Sequence, residues 1–164
     1  MEEIFALVRA EDPIQPLCAD IWRGLENGQP TTPEEMRALE LSDVISFHSY
    51  RDYVRFLESI SDLKKFNRPI FVTEWLHRIN HNNVQEIYPL LFLENIACYC
   101  WGFVVGKTQT NEPWPGLWVD YEKGWRPDYD FTKWQHDLFR PNLRPYDPKE
   151  IALIKHFNYL ADKG

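Results

Sequence analysis

Four short apolar segments, 17–21, 44–48, 70–74 and 97–101, recur along this chain at almost one interval. Their last residues stand 27, 26 and 27 positions apart. So even a period is the mark of an internal structural repeat. Each segment is too short for a helix and reads as a strand, and the intervals carry helical patterns. Strands joined through helices pair in parallel, because a parallel pair needs a crossover of about a dozen residues or more. Four strand–helix units in succession are half of a (β/α)8, or TIM, barrel. A whole barrel takes roughly 250 residues, and this chain has 164. The expected fold is therefore α/β: a single domain over 1–164, built as a (βα)4 half-barrel with a long loop after the last strand.

The third segment is the most telling. Arg68-Pro69 leads into Ile70-Phe71-Val72-Thr73, which ends on Glu74 and Trp75. An apolar run with no polar alternation suits a strand covered on both faces. In parallel α/β folds chemistry collects at the carboxyl ends of strands, which is where Glu74 falls.

Between the strands, Ile4, Phe5, Leu7 and Val8 make an apolar stripe over 1–10, and Val54, Leu57 and Ile60 make another over 52–65. Thr32-Pro33-Glu34-Glu35 is a capping box with Pro at the first helical position, opening a helix to about Glu40. The loop before it, from Arg23 to Thr31, holds Gly24 and Gly28. Asn82-Asn83 caps a helix over 84–94, and Asp147-Pro148 caps a final one. The stretch 102–127, with Trp114, Trp118 and Trp125, reads as a long loop, and 129–146 as irregular. Loops of that length are usually functional or disordered.

Composition narrows the partners. The net charge is −7 and there is no basic run, so no nucleic acid is expected. No apolar run approaches the ~18 residues of a membrane span. The acidic start, Met1-Glu2-Glu3, shows no secretory signal, and three Cys make no disulfide framework. Both features suit the cytoplasm. Cys98 and Cys100 share one strand face and lack a second pair at metal-ligand spacing, so they read as packing residues. No metal and no cofactor is expected. Gly106-Lys107-Thr108 hints at a phosphate loop, but Trp101 stands where that motif needs Gly.

The strand ends carry a recognisable set. His48-Ser49-Tyr50 follows the second strand, Glu74 ends the third, and Trp101-Gly102 ends the fourth. In this order, with the pieces DVISFHSY (43–50), RPIFVTEW (68–75) and YCWGFVVGKTQT (99–110), the chain resembles the last four units of retaining (β/α)8-barrel glycoside hydrolases, the family 5 cellulase, mannanase and xylanase group. The resemblance implies that Glu74 is the nucleophile, forming a glycosyl-enzyme ester with a β-linked polysaccharide or oligosaccharide. It also implies that His48 and Tyr50 reach the sugar or Glu74, and that Trp101 forms the sugar's floor. Trp101–Gly102 becomes a candidate cis peptide. Lys107 and Gln109 would bond sugar hydroxyls, and Trp22 would join the substrate-binding residues. Taken singly these residues have plainer readings: a loop carboxylate, a structural His, packing tryptophans, a solvated Lys.

A retaining mechanism needs a second carboxylate about 5 Å from the first. In the resembled family it lies in an Asn-Glu-Pro triplet on an earlier strand. Here Asn111-Glu112-Pro113 falls after the last strand and is read as unrelated. The chain alone is therefore expected to be catalytically incomplete. The four strands' inward faces would lie open, which favours a homo-oligomer or association with a missing amino-terminal half. The alternative is a non-catalytic half-barrel that self-assembles and at most binds carbohydrate. An open flavodoxin-like domain ranks lower, since no Gly-rich phosphate loop follows Ile21 beyond Gly24 and Gly28.

Overall fold

A computed structural model describes residues 1–22, 25–26 and 29–163. The loop read over Arg23, Gly24 and Gly28 thus lies partly outside the described residues. The elements are α1 (Glu2–Ala10), a two-residue hairpin β1 (Leu25–Glu26) and β2 (Gln29–Pro30), α2 (Pro33–Leu41), β3 (Ile45–His48), α3 (Tyr53–Lys64), β4 (Ile70–Glu74), α4 (Val84–Leu93), β5 (Ala97–Cys98), α5 (Pro115–Glu122) and α6 (Pro148–Ala161). The architecture is mixed α/β around a three-stranded parallel sheet in the order β3-β4-β5.

Caps set the helix starts. Thr32 and Glu35 complete the capping box of α2. Asp52, Asn83 and Asp147 each accept a backbone N–H from the first turn of α3, α4 and α6. One sheet face is dry: Ile45, Phe47, Ile70 and Val72 pack with Phe56, Ile60 and Leu63 of α3 and Ile87, Leu90 and Leu91 of α4. Alternation sends Ser46, His48, Phe71 and Thr73 to the other face, which is half-buried and largely polar.

Four sequence expectations need correction. The segment 17–21 is extended but forms no strand; only Ile21 makes a parallel bridge, to Phe47. Its backbone is satisfied partly by side chains, Leu17 N–H donating to Asp43 Oδ2 at 2.8 Å and Ala19 N–H to Ser42 Oγ at 2.9 Å, and partly by backbone bonds, Asp43 N–H donating to the Leu17 carbonyl and Ile21 N–H to the Ser46 carbonyl. The fourth strand is shorter than 97–101, ending at Cys98. The loop 102–127 contains the helix α5, and the described residues include no cis peptide, so Trp101–Gly102 is trans. Gly102 instead takes a φ of +81°, and a Cβ there would meet the Asp137 backbone nitrogen at 2.6 Å.

The register between β3 and β4 is irregular where it matters. Ile45, Ser46 and Phe47 pair with Ile70, Phe71 and Val72, and then His48 pairs with Glu74 across a bulge. The skipped residue sets the His48 and Glu74 side chains at one level. Bulges are used in this way to re-aim side chains beside sites.

Candidate functional site at the ends of β3 and β4

Five side chains meet at the carboxyl end of the sheet. The Tyr50 hydroxyl donates to Glu74 Oε2 at 2.6 Å. His48 Nδ1 lies 3.3 Å from the same oxygen, and His48 Nε2 lies 3.0 Å from Asp20 Oδ2. Despite its nearness to Glu74, Nδ1 is buried and makes no hydrogen bond, the direction being wrong for one. The Thr73 hydroxyl completes the set, donating to Asp20 Oδ1 at 2.7 Å. Burial, with the Glu74 carboxylate second, pushes the Tyr50 phenol far above its usual range, so it stays a donor.

Beside this group runs a cleft of about 310 Å³ lined by Trp22, His48, Ser49, Tyr50, Arg51, Asn80 and Trp114. Trp22 is two-thirds exposed and Trp114 a little under half, so each offers a flat face to solvent. Behind Trp114 stand the rings of Tyr50, His77 and His136, at centroid distances of 5.4, 4.9 and 5.3 Å, packed edge-on or tilted. This packing fixes the indole plane.

The two imidazoles are neutral parts of the wall. Burial, reinforced by the neighbouring His136, pushes His77 down to about 3. Burial likewise pushes His136 down to about 4, against a hydrogen bond to the Leu76 carbonyl that acts the other way. The Leu76 carbonyl can only accept, so His136 Nδ1 carries the proton. Nε2 then accepts from Gln135 Nε2 at 2.7 Å, and Gln135 Oε1 accepts the Trp114 N–H at 2.8 Å. One chain of bonds thus runs from the end of β4 to the cleft's tryptophan.

Two asparagines hold the other wall. Asn80 Nδ2 donates to the Tyr50 carbonyl and Asn82 Nδ2 to that of Arg51, each at 2.7 Å. Asn82 Oδ1 accepts the Leu76 N–H at 2.8 Å. Leu76 is buried at a φ of +84°, a conformation a leucine holds only when its surroundings impose it. Its N–H and carbonyl are each held by a buried side chain.

Arg78 braces the segment from behind. It forms a two-pronged pair with Glu150 of α6, Nε to Oε1 at 2.8 Å and Nη2 to Oε2 at 2.6 Å. The same guanidinium donates to the carbonyls of His136 at 2.6 Å and Asp137 at 3.0 Å and lies 4.4 Å from the centre of the Tyr146 ring.

Of the residues read from sequence, Glu74, His48 and Tyr50 come together, and Trp22 lines the adjoining cleft. Trp101 is partly exposed after β5, its N–H bound to the Trp75 carbonyl at 2.8 Å. Lys107 and Gln109 stand exposed on a turn closed by Gln109 N–H to the Gly106 carbonyl. Glu112 is exposed in the same loop and accepts from Asn111 Nδ2. Asp20, Thr73, Asn80, Asn82, Trp114, Gln135 and His136 escaped sequence reading. Only Asp20 carried a usable signal, as a carboxylate one residue before a strand-like end.

Among the described residues no group of three or more His, Cys, Asp or Glu could hold a metal, and no helix is long and apolar enough to cross a membrane. A scan against protein-family models finds no match, and no curated protein matches the chain.

Proposed function

We propose that this chain is the nucleophile-bearing half of a retaining glycoside hydrolase acting on β-linked glycans. Its four strand-like segments would correspond to units five to eight of a (β/α)8 barrel. The observation that carries the proposal is Glu74 Oε2 held by Tyr50 and faced by His48, at the rim of a cleft walled by Trp22 and Trp114. Both contacts fall on one oxygen, leaving the attack on the anomeric carbon to the other. A neutral Tyr50 releases its hydrogen bond as Glu74 becomes an ester, which links nucleophile charge to reaction progress. Aromatic faces suit the apolar faces of pyranose rings, while the polar side chains between them suit the hydroxyls.

Hydrolysis of natural glycans also needs an acid/base carboxylate, which on this reading comes from a segment outside these 164 residues. The test therefore avoids that need. A 2-deoxy-2-fluoro-β-glycoside with a dinitrophenolate leaving group requires no general acid. Incubation with a panel of glucosyl, mannosyl and xylosyl forms should add one glycosyl mass to the protein, located at Glu74 by peptide mapping. Glu74→Gln should take up none. Adduct on another residue, or none from any sugar of the panel, would overturn the assignment.

A second reading has its own observation. Ile4 and Leu7 on α1, and Tyr99 and Phe103 beyond β5, are each about two-thirds exposed. Apolar surface on these two segments favours association, with the cleft binding sugar without chemistry. Sedimentation giving a monomer at all concentrations, or Trp fluorescence unmoved by β-linked oligosaccharides, would count against it.

A further inference from the structure

We infer that Asp20 is a positioning residue that acts on Glu74 through His48, an inference that rests on the reading of Glu74 as the nucleophile. The segment carrying Asp20 is fastened to β3 next door, by Ile21 N–H to the Ser46 carbonyl at 3.1 Å and His48 N–H to the Ile21 carbonyl at 3.2 Å. The Asp20 carboxylate then spans two neighbours. One oxygen accepts from the Thr73 hydroxyl at 2.7 Å; the other lies 3.0 Å from His48 Nε2. Thr73 immediately precedes Glu74, so one carboxylate ties the extended segment, β3 and β4 together beside the nucleophile.

The consequence is chemical as well as mechanical. An ionised carboxylate only accepts, so its place 3.0 Å from Nε2 favours the tautomer that carries the proton there. This fixes the imidazole plane and decides which edge meets Glu74. That edge, Nδ1, is buried 3.3 Å from Glu74 Oε2. Shut off from the cleft, it cannot pass a proton to a sugar. Its effect is to pack against Glu74 Oε2 and to set the field that carboxylate feels, and Asp20, 3.0 Å from the ring's other nitrogen, sets how the imidazole lies.

The test is nuclear magnetic resonance on the whole chain, labelled at His nitrogens and Glu carboxyl carbons, with Glu74→Gln assigning the Glu74 signal. In the parent protein His48 Nε2 should show a directly bonded proton. Asp20→Asn, which has the same shape but can donate, should remove that signature and shift the Glu74 carboxyl resonance. Thr73→Val, which loosens Asp20 from the other side, should move both signals in the same direction by less. Asp43→Asn, at the opposite end of the sheet, should move neither. An unprotonated Nε2 in the parent, or a His48 signal indifferent to Asp20→Asn, overturns the inference. So does a His48 change that leaves Glu74 unmoved. These readouts need no turnover, so failure of the trapping experiment would sink the hydrolase reading without deciding this one.

Discussion

Replacing Glu150 by Gln removes the countercharge paired with a guanidinium that the structure seals from water. The Arg78 and Glu150 side chains are each only 3% exposed. Breaking a buried pair by removing one partner costs about 3–5 kcal/mol, because the survivor keeps its desolvation penalty. Arg78→Met should cost more. Besides stranding Glu150, it deprives the His136 and Asp137 carbonyls of their donor, at about 1–3 kcal/mol each. In the double variant Arg78→Met/Glu150→Leu no charge is left buried, so the loss should fall below the sum of the singles and approach the carbonyl term alone. Against a total stability of about 5–15 kcal/mol, either single change is severe. Urea unfolding followed by Trp fluorescence measures all three, with Lys155→Ala as a control on the exposed part of α6. If Glu150→Gln shifts stability by no more than the roughly 0.5 kcal/mol typical of surface changes, the bracing role assigned to this pair is wrong.

Other outcomes follow from the same geometry. Acid should weaken the fold in a defined window. His77 and His136 titrate from 6.5 when unfolded to about 3 and about 4 when folded, so below pH 6.5 the unfolded chain binds more protons. Stability should fall from about pH 6 towards pH 4, by a few kcal/mol, and His136→Gln should flatten the profile; a melting temperature constant across that range would refute the neutral-wall argument. Gly102→Ala adds a methyl 2.6 Å from the Asp137 nitrogen at a left-handed φ. Strain and overpacking together should lower stability by about 2–5 kcal/mol; an unchanged urea midpoint would be incompatible with this packing. Tyr50→Phe should slow glycosyl trapping at Glu74 at least tenfold while costing about 0.5–1.5 kcal/mol of stability; equal trapping rates would remove Tyr50 from the site. Trp114→Ala should weaken oligosaccharide binding, read by calorimetry, more than Trp125→Ala does.

What could be read in advance tracks how local its cause is. Helix starts were legible at Thr32, Asp52, Asn83 and Asp147 because a cap and its target lie within three residues. Strand β4 was legible because its whole pattern sits in five residues. The segment 17–21 misled because Ser42 and Asp43, more than twenty positions away, supply the acceptors that a strand neighbour would otherwise provide. Helix α5 was hidden by a Pro-Gly start and a ring-rich sequence without a clear apolar stripe. In the site, Glu74, His48 and Tyr50 were visible as strand-end residues. Asn82 looked like a helix cap and proved to be a cross-link, while Asn83 caps α4. Gln135 and His136 sit in an irregular stretch, and only folding brings them to Leu76, sixty positions back.

The distance between Arg78 and Glu150 along the chain also imposes an order of assembly. The sheet can pair and α3 and α4 can dock while the carboxyl-terminal third is still unfolded. The guanidinium finds its carboxylate only 72 residues later, when α6 arrives. Until then the stretch that carries His136 and Gln135 has only its other ties, such as Arg78 N–H to the Gln135 carbonyl and Gln135 N–H to the Asn111 carbonyl. The backing of the cleft beside Trp114 is therefore the last part to be tightened, and a chain shortened before Pro148 should keep its strands and the cleft's lining residues yet brace them less firmly.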